Sequence, residues 1–403
     1  MRPLARSGLM TILVLAWAGP SGRLVREGTG GGESLLVAGV GLPNGVSARP
    51  DEANPVIRGK NVYAANLVRN GGAWNLYYGG WRDAADANDR IYAAVSIGAM
   101  PSGPWQGQQV IIDNGEYVHV NDPSVQRRAP DDWYMAFTTA DKADGRDWIA
   151  VAASPDGLTF TPRIATREAE IRISGAEFTH MARPSLLWTG TVWKLWFDGK
   201  IKGGGRHSYL AECSEPFPKR FRFVHEYPDV NGFPGFFEPD VALVGGTFVA
   251  VVQRNFTNYI KLESRDGVHF EEAGVILSAG DPAVAKKRIS NPGWIGDAAN
   301  GRILGVAISM TDELNLTGHV IGLAYHQYLV QVTTPSGVTH QYGRSRGFDV
   351  AVPMTFGARE FSRIRVEDPR THATIADQAV SARSGDRWRL VREAPPPPVP
   401  MGP

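Results

Sequence analysis

The chain has 403 residues, 43% hydrophobic and 21% charged, with 46 glycines and 28 prolines, so it can bury a large core and make many tight turns. A net charge of +1, with no basic run interleaved with aromatics, gives no electrostatic case for nucleic acid. The single cysteine, Cys213, excludes an internal disulfide and a cysteine-based zinc site, and reads as a small buried apolar residue.

At the amino terminus Arg2 and Arg6 precede an apolar stretch from Leu9 to Ala18, and Ala16-Trp17-Ala18 before Gly19 has the small-x-small form of a signal-peptidase site. The stretch is too short to span a bilayer as a helix. Residues 1–18 therefore read as a removable signal peptide and 19–33 as a Gly-rich linker, which predicts a secreted or periplasmic protein with no membrane partner.

From there one short pattern recurs. A polar residue and Pro open an apolar run, and an aromatic strand follows nine or ten residues later. The copies are Asp122-Pro123-Ser124-Val125 before Trp133 to Phe137, Arg183-Pro184-Ser185-Leu186 before Trp193 to Phe197, and Glu238-Pro239-Asp240-Val241 before Phe248 to Val252. A looser copy runs from Asn291-Pro292 to Ile303 through Ala307. The first copy, Ala64-Ala65-Asn66-Leu67 before Trp74 to Tyr78, lacks the Pro. Counted from positions 65, 123, 184, 239 and 292, the intervals are 58, 61, 55 and 53. Repeats of that length, built from short strands and turn residues, predict an all-β, five-bladed β-propeller over 34–326.

Third strands such as Ile91 to Val95, Trp148 to Ala152 and Tyr259 to Glu263 complete the pattern. Two of them lead into Ser-Pro-Asp-Gly (154–157) and Ser-Arg-Asp-Gly (264–267), where Gly supplies the positive φ of a hairpin turn. Strand material near Ser34 to Val40 is expected to close the ring against the last blade, since closure removes sheet edges. Beyond it, Tyr328 to Val332, Phe348 to Val352, Ile364 to Val366 and Trp388 to Val391 predict a C-terminal accessory β segment over 327–394. A Pro-rich tail at 395–403 cannot pack a core.

Propeller topology brings the residues before each innermost strand to one face around the axis: Ala64, Asp122, Arg183, Glu238 and Asn291. Loops between second and third strands return to that face. They carry Trp81, an aromatic candidate for ligand contact, and Asp198 and His207, while His119 and His180 stand three residues before their anchors. Trp74, Trp133 and Trp193 recur at one repeat position and read as blade core. The Asp83/Asp86/Asp89 and Asp141/Asp144/Asp147 loops lack the full spacing of a helix-loop-helix calcium site, leaving a structural calcium as the one cofactor to consider.

Across roughly 50–325 the chain resembles the five-bladed propeller glycosidases, the superfamily of glycoside hydrolase families 32, 43 and 130, in its Asp-Pro-Ser-Val and Glu-Pro openings, its repeat length and its Ser-x-Asp-Gly-x-x-Phe turns. Asn54-Pro55-Val56-Ile57-Arg58-Gly59 looks like the Asn-Pro segment that precedes blade one in family 43. The resemblance implies a general-base Asp on blade one, a pKa-modulating Asp on blade three and a general-acid Glu on blade four. Here Ala64 and Arg183 occupy the first two positions, and only Glu238 matches. Family 130 is similar in its single acidic blade-two residue, here Asp122, and in the basic residues that bind phosphate in its phosphorylases. Arg183, Lys200, Lys202, Arg206 and His207 could form such a pocket, although Asn121 replaces the usual preceding acid.

Glycoside hydrolysis by itself requires two carboxyl groups facing each other across a pocket, one to protonate the leaving oxygen and one as base or nucleophile. Asp122 and Glu238, two blades apart, fit an inverting geometry with water between them. Arg183 on the blade between them would separate their pKa values. Sequence alone leaves three readings open: a hydrolase, probing Asp122 and Glu238 as the catalytic pair with Arg183, Trp81, His119, His180, Asp198, His207 and Asn291 binding a carbohydrate substrate; a family 130-like phosphorylase; and a non-catalytic sugar-binding propeller.

Overall fold

The computed structural model describes residues 22–29, 34–39, 54–83, 88–98, 101, 103–230, 233–234, 236–281, 284–297, 302–313, 318–325, 329–343, 349–353, 360–367, 374–383 and 386–392. The segment expected to be a signal peptide, 1–18, and the Pro-rich tail of 395–403 lie outside them. Among the described residues there is no α-helix, and the one helical turn is a 3₁₀ segment at Arg167–Ala169.

Five antiparallel meanders follow one another, over residues 61–112, 117–154, 178–227, 240–278 and 288–325. The innermost strands are Asn61–Asn70, Tyr117–Ala129, Phe178–Trp188, Asp240–Val244 and Arg288–Asp297. Each of these packs on the next, and the last returns to the first through parallel pairing of Ile295 with Leu67 and Gly296 with Val68. The result is a closed β-propeller. Three meanders have four consecutive strands. The second has three, with an isolated bridge from Thr161 to Ala153 in place of an outer strand. In the fifth, the outer place falls to the segment before the first blade. Ile57 bridges Ile321, and the Asn54 side chain both donates to Leu323 O (2.9 Å) and accepts from Leu323 N–H (2.8 Å).

Ring closure thus differs from the sequence expectation. Ser34–Gly39 pairs with Asp349–Pro353 and with Asp386–Arg392, not with the last blade. Gly22–Thr29, expected as linker, is a strand opposite Asp386–Arg392. Strands from both ends of the chain therefore build one four-stranded sheet, and Leu329–Thr333, Thr339–Gly343, Glu360–Glu367 and Thr374–Arg383 build another. The accessory part includes N-terminal residues that the sequence boundaries of 19–33 and 34–326 assigned elsewhere, because backbone pairing between distant segments leaves no local periodicity to read.

Blades pack through the large aromatics expected for their core. Trp74, Trp133 and Trp193 are fully buried, together with Tyr77, Phe137, Trp196 and Phe197. At roughly 1.5–3 kcal/mol for each large side chain removed from water, this burial is the main stabilisation of the ring. The Asp-Gly turns form as the sequence predicts. Gly157 and Gly267 have φ of +77° and +70°, and Asp156 and Asp266 accept backbone N–H groups of the residues two and three further on.

The same position in each inner strand stitches one blade to the next. Asn66 Oδ1 accepts from Val125 N–H (3.0 Å), Ser124 Oγ from Leu186 N–H (2.9 Å), Ser185 Oγ from Val241 N–H (2.9 Å) and Asp240 Oδ2 from Trp294 N–H (2.6 Å). At the seam this position is Gly293, where a Cβ would stand 2.0 Å from Ala65 O. Without a side chain, the backbones of the last and first blades approach directly.

His319 lies at the same seam. Its imidazole is buried between Asn61 Oδ1 (3.1 Å from Nδ1) and Ser290 Oγ (3.1 Å from Nε2), and burial pushes its pKa down to about 4. A group whose folded pKa is depressed below its unfolded value near 6.5 stabilises above that value, and the contribution is lost as pH falls toward 4. Stability measured by urea denaturation should therefore drop between pH 6.5 and 4, and His319→Gln should flatten this drop. An unchanged slope in the variant would remove His319 from the account.

Candidate active site

Five residues at one repeat position share an unusual backbone. Ala64, Asp122, Arg183, Glu238 and Asn291 have φ of 53°, 50°, 52°, 50° and 43°. For residues with a Cβ the left-handed region costs roughly 1–2 kcal/mol each, and such strain concentrates at functional sites. In four of the blades the pairing register shifts at this point, between Tyr63 and Asn66, Asn121 and Ser124, Ala182 and Ser185, and Ser290 and Gly293. A bulge re-aims a side chain, and here all five residues line one small axial cavity.

The inverted backbone also turns N–H groups toward the neighbouring blade, where side chains receive them. Ala64 N–H donates to Ser309 Oγ (2.8 Å), Arg183 N–H to Thr138 Oγ1 (2.8 Å) and Asn291 N–H to Glu238 Oε2 (2.8 Å). Asp198 accepts the N–H of Glu238. Four of the five strained residues are thus held from the blade before them.

Electrostatics in the cavity centre on Arg183. Its Nε stands 3.0 Å from Glu238 Oε1 and its Nη1 3.7 Å from Asp198 Oδ2. Burial works against its charge, but Glu238, Asp198, Asp122 and Asp147 together hold the guanidinium pKa above its usual range. For Glu238, 5% exposed, burial pushes the carboxyl up to about 7, although Arg183 and the Asn291 N–H favour its ionised form. Asp198, 1% exposed, is pushed up to about 6 by burial against Arg183 and the Ser208 hydroxyl. Asp122 is also raised by burial, with Arg183, Thr138 and His119 opposing. Asn291 spans the two candidate catalytic carboxylates: its backbone holds Glu238, and its Nδ2 lies 3.5 Å from Asp122 Oδ1.

A second layer surrounds this group. Tyr63 OH donates to Asp89 Oδ2, and Asn121 Nδ2 donates to Tyr63 OH (2.8 Å). Asp147 Oδ2 lies 3.6 Å from His180 Nε2, and burial followed by Arg206 and Arg183 lowers the His180 pKa to about 4, so this imidazole is neutral. His119 acts electrostatically on Asp89, Asp122 and Asp147. Asp89 Oδ1, Asn121 Oδ1, His180 Nε2, Arg183 Nη1 and Asp198 Oδ2 are buried without a hydrogen-bond partner. Buried polar atoms are normally satisfied, so this group calls for water or a polyhydroxylated ligand.

Of the residues singled out from the sequence, the structure brings Asp122, Arg183, Glu238, Asn291 and Asp198 together, with His119 and His180 beside them. His207 is half-buried, 3.6 Å from Glu226 Oε1. Trp81 ends the strand Ala73–Trp81 opposite Asn61, half-buried and outside the cavity lining. Sequence reasoning assigned no role to Tyr63, Asn121 or Thr138. The first two directly precede left-handed residues, a signal the repeat offset could have given. In the 141–147 loop the aspartates have protein partners. Asp141 bonds Arg167, Asp144 accepts from Arg146 N–H and Asp147 faces His180, while Asp86 lies outside the described residues. Among the described residues, no group of three or more His, Cys, Asp or Glu is arranged to hold a metal ion.

No protein-family model and no curated protein matches the chain. Solved structures do. The GH43_1 enzyme from Xanthomonas citri, complexed with xylotriose, matches with a TM-score of 0.50 at 15% identity, over 73% of this chain and 94% of that one. CoXyl43, a GH43 β-xylosidase/α-arabinofuranosidase from a compost microbial metagenome, matches with 0.49 at 14%, over 74% and 97%. Zg3597, a family 117 glycoside hydrolase produced by the marine bacterium Zobellia galactanivorans, matches with 0.46 at 16%, over 72% and 89%. At these identities the likeness is one of fold. The chain carries the β-propeller fold of the family 43 glycoside hydrolases.

Proposed function

We propose that the protein is a glycoside hydrolase acting on a poly- or oligosaccharide with inversion, exported from the cytoplasm and needing no cofactor. The observation that carries the reading is the pairing of Asp122 and Glu238, linked through Asn291, on a shared cavity of about 40 Å³. That volume suits a water molecule and excludes a sugar ring, so the substrate would lie over the mouth of the cavity. Glu238, with a pKa near 7, donates its proton to the glycosidic oxygen. Water attacks the anomeric carbon from the opposite side, and the ionised Asp122 takes its proton. Arg183 stays charged throughout and keeps the two carboxyl groups in different protonation states.

Three of the five basic residues considered for phosphate favour water as acceptor. Arg183 is engaged by Glu238 and Asp198, Lys202 by Glu177 (2.8 Å) and His207 by Glu226. A phosphate would have to compete with carboxylates already in place.

A panel of aryl glycosides and plant and bacterial polysaccharides, assayed with and without phosphate, tests the proposal. The expected result is phosphate-independent release of sugar, with the first-formed anomer inverted by proton NMR. Phosphate-dependent turnover would identify a phosphorylase, and sugar binding without turnover a binding module.

A further inference from the structure

The inner strands that begin at the carboxylates end at a second cavity on the opposite end of the axis, with a volume of about 610 Å³, within the range of ligand sites. Its rim repeats with the blades, since the residues five positions after each left-handed residue are Arg69, Arg127, Trp188, Leu243 and Gly296, all in its lining. The rim is therefore cationic on the first two blades and apolar on the next two. Asn66 and Asp240 line both this cavity and the catalytic one, so they form the partition between them.

The cationic half is rigid. The Arg127 guanidinium lies over the Trp133 ring, 5.1 Å from its centroid, and that of Arg69 over Trp74 at 5.7 Å. Arg127 Nη1 donates to Arg69 O (3.4 Å), whereas its Nε is buried without a hydrogen-bond partner. Neighbouring Arg128 is committed to Asp132 at 2.5 Å and contributes no spare fork. A stacked guanidinium with donor capacity left over is preorganised for a carboxylate. Leu243 and Trp188, the latter held between the Arg128 guanidinium (5.4 Å from its ring centroid) and the Trp193 ring, form the apolar side of the rim, which can pack on the C–H groups of a sugar ring. Asp240 at the inner end repels an anion, which orients the acid group outward, toward the arginines.

We propose that this cavity is a second ligand site, for a carboxylate-bearing sugar of the hexuronate type, with the acid group on Arg127 and Arg69 and the ring against Trp188 and Leu243. The site stands independently of the hydrolase reading, because none of these residues faces the catalytic cavity. The full-length protein should be titrated with galacturonate, galactose, cyclohexanecarboxylate and sulfate by calorimetry, alongside Arg127→Gln, Leu243→Trp and Glu238→Gln variants. Galacturonate should bind saturably and more tightly than the other three. Arg127→Gln should weaken it about tenfold, the scale of a lost charge-assisted hydrogen bond, and Glu238→Gln should leave it unchanged. Leu243→Trp, which places a larger ring where the sugar would pack and leaves both arginines in the sequence, should weaken binding at least as much, and it decides the matter if Arg127→Gln misfolds. Equal affinity for galactose, saturable binding of cyclohexanecarboxylate or sulfate as tight as galacturonate, no saturation with galacturonate, or binding lost only in Glu238→Gln would each overturn the proposal.

Discussion

Glu238→Gln should lower turnover of a natural glycoside by about a hundredfold or more, the usual scale of a general acid's contribution. The replacement keeps the size of the side chain and one acceptor, for the Asn291 N–H, but gives up the contact with Arg183 Nε, so Tm should fall modestly while the fold is retained. Two further readouts separate loss of the acid from general damage. An aryl glycoside with a strongly acidic leaving group needs no protonation, and its cleavage should survive in the variant. In the wild type, burial places the Glu238 pKa near 7. An acid works only while protonated, so kcat/KM should fall as pH rises through about 7, and Glu238→Gln should lose that alkaline limb. Asp122 must be ionised to accept a proton, so Asp122→Asn should be equally slow with both leaving groups. If Glu238→Gln turns over natural substrate at the wild-type rate, Asp198 and Asp240 become the next acids to examine.

Gly293→Ala should be among the most damaging small substitutions in the propeller. The added methyl would sit 2.0 Å from Ala65 O, well inside contact distance and against backbone that cannot rotate away. The last and first blades must then separate at the one junction, among the described residues, where inner strand pairs with inner strand, Ile295 with Leu67. Overpacking of this kind costs typically 1–3 kcal/mol, and a fixed carbonyl puts Gly293 at the upper end. Ser124→Ala at the equivalent position in the second blade removes one hydrogen bond, to Leu186 N–H, worth about 1 kcal/mol. Urea denaturation should therefore rank Gly293→Ala as clearly less stable than Ser124→Ala. Equal stabilities would mean that the seam is not a constraint.

The repeat was legible because each blade opens on the same few residues and buries an aromatic at the same offset, as Trp74, Trp133 and Trp193 do. The convergence of Asp122, Arg183, Glu238 and Asn291 followed from that periodicity alone. The left-handed backbone beneath them did not, since nothing in an Asp-Pro or Glu-Pro pair announces a positive φ, and Ala64 adopts it with no Pro at all. Closure was misplaced for a related reason. Ser34 to Val40 carries an apolar run that reads as a strand, whereas the segment that covers the last blade, Asn54 to Ile57, makes only a bridge and a side-chain clamp, too short for any pattern. The aspartates of the 141–147 loop suggested a cation by proximity in sequence. Their partners, Arg167 and His180, come from elsewhere in the chain, and a one-dimensional reading cannot supply them.

Ala64 gives the shared φ of the five axial residues a further meaning. It stands in the same conformation as Asp122 and Glu238, with its N–H received by Ser309 just as Arg183 is received by Thr138, yet it contributes no functional group. The posture of the main chain at these stations is therefore set by neighbouring blades and does not depend on which side chain is mounted there. Side chain and backbone posture are separable at Ala64, whereas Glu238 serves both, since its carboxyl group receives the Asn291 N–H and faces Arg183. A station of the first kind lets catalytic repertoire diversify by point substitution around an unchanged frame, and Ala64, where Asp or Asn would suit the backbone better than alanine does, is the station with most room for innovation.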